Sequence, residues 1–129
     1  MLVVAGALQR DEGLWLMHRR PFDKHHGGLW EFPGGKVEVA ENPKEALRRE
    51  LGEELGVAVD VSAMQPVGFA HSDADEAVRA IVILLYKIER WSGEPAALEG
   101  GAVGWFNPAG IAQLAKPPLD SDLSERLFA

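Results

Sequence analysis

Asn42-Pro43 opens and Leu55-Gly56 closes a segment whose two ends are both spelled out, and no other feature constrains the chain as tightly. Asn at the N-cap can accept from an amide of the first turn. Pro at the first helical position loses only an amide that has no helical partner, and Glu45 adds an acid at the positive end of the helix. Leu47, Leu51 and Leu55 recur every fourth residue as a core-facing stripe, and Gly56 supplies the left-handed residue that stops a helix. The spacing therefore predicts a helix over 43–55. Glu50, Glu53 and Glu54 stand at i, i+3 and i+4 and so share one of its faces, with Arg48 and Arg49 interleaved. Carboxylates this close repel and raise one another's proton affinity unless cations lie between them. A solvated charged face, with Arg49 paired to Glu53, is the plain alternative. Against it, Glu54 abuts the leucine stripe, where unpaired charge is expensive, and the helix follows Gly34-Gly35, which can bring bare backbone close to a ligand.

Around this helix the pattern is that of one α/β layered domain over 1–129, its sheet covered on both faces. Apolar runs at 2–9 and 14–18, separated by Arg10-Asp11-Glu12-Gly13, read as a β-hairpin. Arg19 to Gly28 reads as a basic, His-rich loop, and Pro33-Gly34-Gly35 as punctuation leading into a second loop. Strand-like runs follow at Val57–Val61, Pro66–Ala70, Val78–Glu89 and Val103–Phe106. Asn107-Pro108 opens a second helix by the same cap logic, and Asp120 or Ser121 is expected to open a third reaching Phe128. Glu41 and Glu45 read as helix N-terminal capping and dipole stabilisation.

Composition narrows the chemistry. Cysteine is absent, so thiol nucleophiles, disulfides and iron–sulfur clusters are excluded, a reducing cytoplasm fits, and any metal must be held by oxygen or imidazole. Thirteen Lys+Arg against 20 Asp+Glu leave a formal charge of −7, which argues against nucleic acid polymers and anionic membranes as partners. The apolar start has no basic region before it, as a signal peptide would, and the longest apolar run, Ala80–Tyr86, is far short of the ~20 residues of a spanning helix. A polyanionic ligand would need bridging cations.

Gly35, Glu41 and the run Arg49-Glu50-Leu51-Gly52-Glu53-Glu54-Leu55-Gly56-Val57 match every fixed position of the Nudix box, here residues 35–57. His18-Arg19-Arg20-Pro21, Leu29 to Lys36, Glu89 to Pro95, Glu99-Gly100 and Pro117-Pro118 also fall where MutT-type members have similar residues, so the resemblance covers nearly the whole chain. It implies a Nudix fold, an α/β/α sandwich with a mixed central sheet. It also implies Mg²⁺-dependent cleavage of a (deoxy)nucleoside triphosphate to the monophosphate and pyrophosphate, as in 8-oxo-dGTP sanitation. Mn²⁺ would be a substitute, and the chain would act as a monomer or homodimer.

The charge argument supports that implication, because a triphosphate and a glutamate cluster repel unless a divalent cation joins them. Glu53 and Glu54 are expected to ligate the metal and Glu50 to ligate it or accept a proton. The resemblance adds the Gly35 carbonyl and Glu99 as further ligands, with Glu99 as an alternative base. Arg49 is expected to orient Glu50 or Glu53. For the substrate, the resemblance points to Arg20 at the phosphate or sugar and to His25 and Arg79 near the nucleotide; Phe32 could stack beside the base. Asp120 departs from the pattern, standing where MutT-type members carry an Asn. An ionised carboxylate only accepts hydrogen bonds, so it would suit guanine N1 and N2, while protonation in a dry pocket would restore a donor. CTP or a modified dCTP therefore competes as substrate, and a nucleotide-sensing module without catalysis is the rival from another class.

Overall fold

The computed structural model describes residues 1–73 and 79–129. It contains seven strands and three helices: β1 (Leu2–Arg10), β2 (Leu14–Arg19), β3 (Trp30–Glu31), β4 (Gly34–Lys36), α1 (Pro43–Leu55), β5 (Met64–His71), β6 (Val82–Ile88), β7 (Ala102–Phe106), α2 (Pro108–Gln113) and α3 (Pro118–Leu127). β1 is the axis of a mixed sheet. It runs parallel to β6 along its length, while its other edge is shared between β4 at Val3–Ala5 and β2 at Gln9–Arg10, both antiparallel. β5 extends the sheet beyond β6, and β3 and β7 both pair with β2.

Strand alternation sorts β1 between two cores. Val4 and Leu8 join Leu47, Leu51 and Leu55 of α1, whereas Ala5 and Ala7 join Ile111 of α2 and Leu123 of α3. The sheet is thus covered on both faces, an α/β Nudix sandwich. α1 has the predicted bounds: the Asn42 side chain accepts from the Glu45 amide at 2.9 Å, and Gly56, at φ 73°, closes the helix. Among the described residues, no helix is long and apolar enough to cross a membrane.

Five local expectations are corrected. Val57–Val61 is not a strand: Val57 and Val59 alternate because they pack into the α1-side core, and apart from one bridge, Ala58 to Ser92, this stretch has no ladder partner among the described residues. Asp60 instead caps a short 3₁₀ turn over Val61–Ala63. Gly34–Lys36 is not only punctuation but a strand on β1, where little side-chain bulk lets the backbones meet. α3 begins at Pro118, and Asp120 turns inward from its first turn instead of capping it. The Val78–Glu89 run narrows to β6; Val78 lies outside the described residues, and Arg79 precedes the strand. Glu41, finally, does not cap α1 but holds Arg49, which Asn42 leaves it free to do.

Candidate active site

Two strands and a helix bring the charged groups together. In β2, Leu16 enters the α1-side core, so His18, two residues on, faces the same way. Glu31 of β3 is its cross-strand partner, and Glu54 comes from the last turn of α1. His18 is 5 % exposed and Glu54 7 %. His18 Nδ1 lies 3.3 Å from Glu31 Oε2 and 3.2 Å from Glu54 Oε1, while Nε2 is 3.1 Å from the Gly100 carbonyl. The Gly34 amide donates to Glu54 Oε2 at 3.3 Å. Burial pushes the Glu54 carboxyl above the usual range; the nearby His18 charge opposes this, and the charges of Glu31 and Glu50 add to it. Burial works to lower the His18 pKa, but its bonds to Glu31 and Gly100 and the charges of Glu54 and Glu31 outweigh that and raise it.

Glu50 lies against the second glycine of the loop: a Cβ on Gly35 would collide with the Glu50 carboxyl group. Burial raises its proton affinity, Arg49 counteracts, and the charges of Glu53 and Glu99 add to the rise. Exposed Glu99 is thereby placed within electrostatic reach of Glu50. Arg49 is the organiser of this flank. Its Nη1 reaches Glu50 at 3.0 Å and Glu53 at 3.3 Å, its Nε and Nη2 grip Glu41 at 2.7 and 2.9 Å, and Nη2 also donates to the Lys36 carbonyl at 3.1 Å. That grip holds the Glu41 carboxyl down at about 2. Glu53 has the most exposed side chain of the three helix acids.

From the Gly34-Gly35 backbone a cleft runs toward α3. Two adjoining cavities of about 390 and 400 Å³ share Val3, Arg20, Glu31, Ile83 and Asp120; one continues to Gly35 and Lys36, the other to His25 and Leu119. Arg20 sits at the waist, donating to Glu31 at 3.1 Å and to the His25 carbonyl at 2.6 Å. On the α3 side of the same waist Asp120, 7 % exposed, accepts from the Phe32 amide at 3.1 Å through Oδ1. Burial pushes its pKa up to about 7, with the Phe32 bond acting against the rise. Phe32 itself is 3 % exposed and packs in the α2/α3-side core. His25 and His26 are exposed with their rings 3.9 Å apart. Arg79 is exposed and is not among the described residues lining either cavity.

Glu50 and Glu54 therefore meet the Gly34-Gly35 backbone that lines the cleft, Arg49 ties Glu50 to Glu53, Glu99 acts on Glu50 through its charge, and Arg20, His25, Phe32 and Asp120 line the cleft itself. His18 and Glu31 are additions that the spacing rules did not single out. A signal existed: a His two residues after a core Leu in an alternating strand must face inward. The donor set fits a hard divalent cation. It is rich in carboxylate oxygen, the missing Gly35 side chain leaves the Glu50 carboxyl access to the backbone, and two of the acids are held in the burial that disfavours their charged forms.

Comparison with known proteins agrees with this geometry. The NUDIX domain family profile matches residues 1–127. The chain is 30 % identical over 126 residues to an 8-oxo-dGTP diphosphatase of Escherichia coli (strain K12), covering 97 % of this chain and 94 % of the relative. It is 35 % identical over 127 residues to a CTP pyrophosphohydrolase of the same organism, covering 98 % and 90 %. The crystal structure of a MutT NUDIX hydrolase from Burkholderia pseudomallei superposes with a TM-score of 0.85 at 26 % identity, covering 98 % of this chain and 96 % of that one. A profile match across nearly the whole chain, on a fold that sets Glu50 and Glu54 against the Gly34-Gly35 backbone, makes this protein a member of the Nudix family, a MutT-like hydrolase.

Proposed function

We propose that the chain hydrolyses a (deoxy)nucleoside triphosphate to the monophosphate and pyrophosphate with Mg²⁺, or Mn²⁺ in its place, and that the substrate is an 8-oxo-dGTP-like purine nucleotide. The observation that carries this reading is the cleft itself, with bare glycine backbone against the helix acids and a buried carboxyl on its α3 side. Glu53 and Glu54 would hold the cation, with Glu50 a further ligand or the proton acceptor and the Gly35 carbonyl and Glu99 completing the set. The bound cation supplies charge neutralisation of the phosphates and acidifies water.

The chain's own residues do the rest. Gly34 N–H fixes one Glu54 oxygen, and Arg49 fixes the orientation of Glu50 and Glu53. Where it does not ligate the cation, Glu50 accepts the proton of the attacking water. The water oxygen bonds to phosphorus as the α–β anhydride bond breaks, and pyrophosphate separates from the nucleoside monophosphate. Arg20 steadies the phosphate or sugar at the waist of the cleft.

Asp120 reads the base. With Oδ1 bound to the Phe32 amide, the remaining carboxyl capacity faces the choice between two edges. Ionised, it accepts from guanine N1 and N2; protonated, it donates to cytosine N3 and accepts from N4. A cytidine-type triphosphate is therefore the second reading, favoured by the burial of this carboxyl. A panel of 8-oxo-dGTP, dGTP, CTP and 5-methyl-dCTP in Mg²⁺, with products identified by phosphorus NMR, tests both. The first expects monophosphate and pyrophosphate with 8-oxo-dGTP preferred. Preference for the cytidines selects the second. Tight binding without product overturns hydrolysis and leaves a sensing module.

A further inference from the structure

We infer that His18, Glu31 and Glu54 form a distinct site for a divalent transition ion such as Zn²⁺ or Co²⁺, sharing only Glu54 with the proposed magnesium ligands. One donor atom from each lies within 4.8 Å of the others. The separations of His18 Nδ1 from the two carboxylate oxygens, 3.2 and 3.3 Å, match the edge of a tetrahedron. With bonds of about 2.0 Å that edge is roughly 3.3 Å.

Each donor is also held from behind. Nε2 is committed to the Gly100 carbonyl, which turns Nδ1 toward the acids. Glu54 uses its other oxygen for the Gly34 amide, and Glu31 is held by Arg20 Nη1, at 3.1 Å from its other oxygen and 3.4 Å from Oε2. Outer bonds of this kind, an imidazole N–H on a backbone carbonyl above all, are what hold metal ligands in orientation. An imidazole between two carboxylates favours ions that accept nitrogen over Mg²⁺, which prefers oxygen and retains its waters. On binding, the ion takes the place of the Nδ1 proton, which is released to solvent, and the two acids keep a cationic partner. Occupancy commits Glu54 to this site and withdraws it from the Glu50/Glu53 set, so a transition ion here inhibits the magnesium-dependent reaction. Only that last consequence rests on the proposed function.

The test titrates the whole chain, without nucleotide, with Co²⁺ followed by visible absorption and with Zn²⁺ by calorimetry. One tight equivalent is expected. His18→Gln and Glu31→Gln should each weaken it at least ~10-fold, the effect of losing a ligand or its support, while Glu53→Gln leaves it unchanged. Undiminished binding in His18→Gln, or an equal loss in Glu53→Gln, overturns the site. Should a variant melt abnormally, the cobalt-loaded parent protein decides. Its proton NMR spectrum should contain one paramagnetically shifted, solvent-exchangeable imidazole N–H, the proton held by Gly100, and a spectrum without it rejects His18 as ligand. These readouts stand whether or not any nucleotide is hydrolysed.

Discussion

Two carboxyl groups in this protein are equally hidden, Glu54 on the α1 side of the sheet and Asp120 on the α3 side, each 7 % exposed and each with its proton affinity raised first of all by burial. Their company differs. Glu54 meets His18, the Gly34 amide and the charges of Glu31 and Glu50, and it lies in the last turn of a helix lined with other acids. Asp120 accepts from the Phe32 amide, feels the charges of Glu31 and Arg20 that line the same cavity, and has apolar Ile83 and Leu119 beside it. A buried acid inside a network of charges is equipped to hold cations and support chemistry. A buried acid on a cavity wall with one carboxyl oxygen uncommitted is equipped to choose among ligands, because its remaining hydrogen-bonding capacity must be matched by whatever enters.

The sharpest way to break this contrast is to neutralise an acid on the first side. Glu53→Gln should lower turnover of every nucleotide at least ~100-fold in Mg²⁺, as expected when a metal-holding or charge-stabilising group is lost. Near-normal pyrophosphate release by this variant would remove the helix from the chemistry. On the second side, Asp120→Asn should change the ratio of kcat/KM between purine and cytidine triphosphates by ~10-fold, the scale of one bidentate base contact, with a smaller change in the better substrate's kcat. Equal losses across the panel would make both sides alike and erase the distinction. Between these lies Arg49→Lys, which keeps the charge but not the fork joining Glu41, Glu50 and Glu53. We expect a severalfold fall in kcat with KM little changed, since a point charge cannot hold three carboxylates at once. An unaltered kcat would reduce Arg49 to a surface pair.

The smallest effect is on stability. Because the folded protein holds the Asp120 proton up to about 7 against an ordinary value of 3.8, the folded state binds more protons than the unfolded chain between these limits. Its contribution is therefore present at low pH and lost as pH rises toward and through 7. Asp120→Asn, which can still accept from the Phe32 amide, should melt a few degrees above the parent at pH 8 and show little advantage near pH 4. A constant offset across that range would mean that the carboxyl is not kept protonated by its burial.

Much of the α1 side was legible in the chain because it is local. The Asn42 cap, the leucine stripe, the Gly56 stop and the i, i+3, i+4 acids all sit within one helix, and the structure returns that helix with the same bounds. The hairpin and the shielding of Glu54 followed from the same short-range rules. The misreadings have a common cause. Val57–Val61 alternates like a strand because the core demands it, yet a strand needs a partner, and Ala58 has a single bridge. Gly34–Lys36 looks like a loop by propensity, yet β1 lies beside it. Asp120 looks like a cap by position, yet the Phe32 amide claims it.

By itself, then, the sequence determined the capped helix, the carboxylates on one of its faces, the need for bridging cations in a chain of charge −7, and the Nudix resemblance that spans it. Tertiary structure alone decided that His18 would meet Glu54 and anchor on Gly100, 82 residues away, and that Asp120 would turn in to Phe32 across 88. The physical reason is range. Helix caps and helical faces are set within a few turns of backbone, whereas the approach of distant polar groups depends on strand order and register, and burial then fixes which of those groups keep their protons.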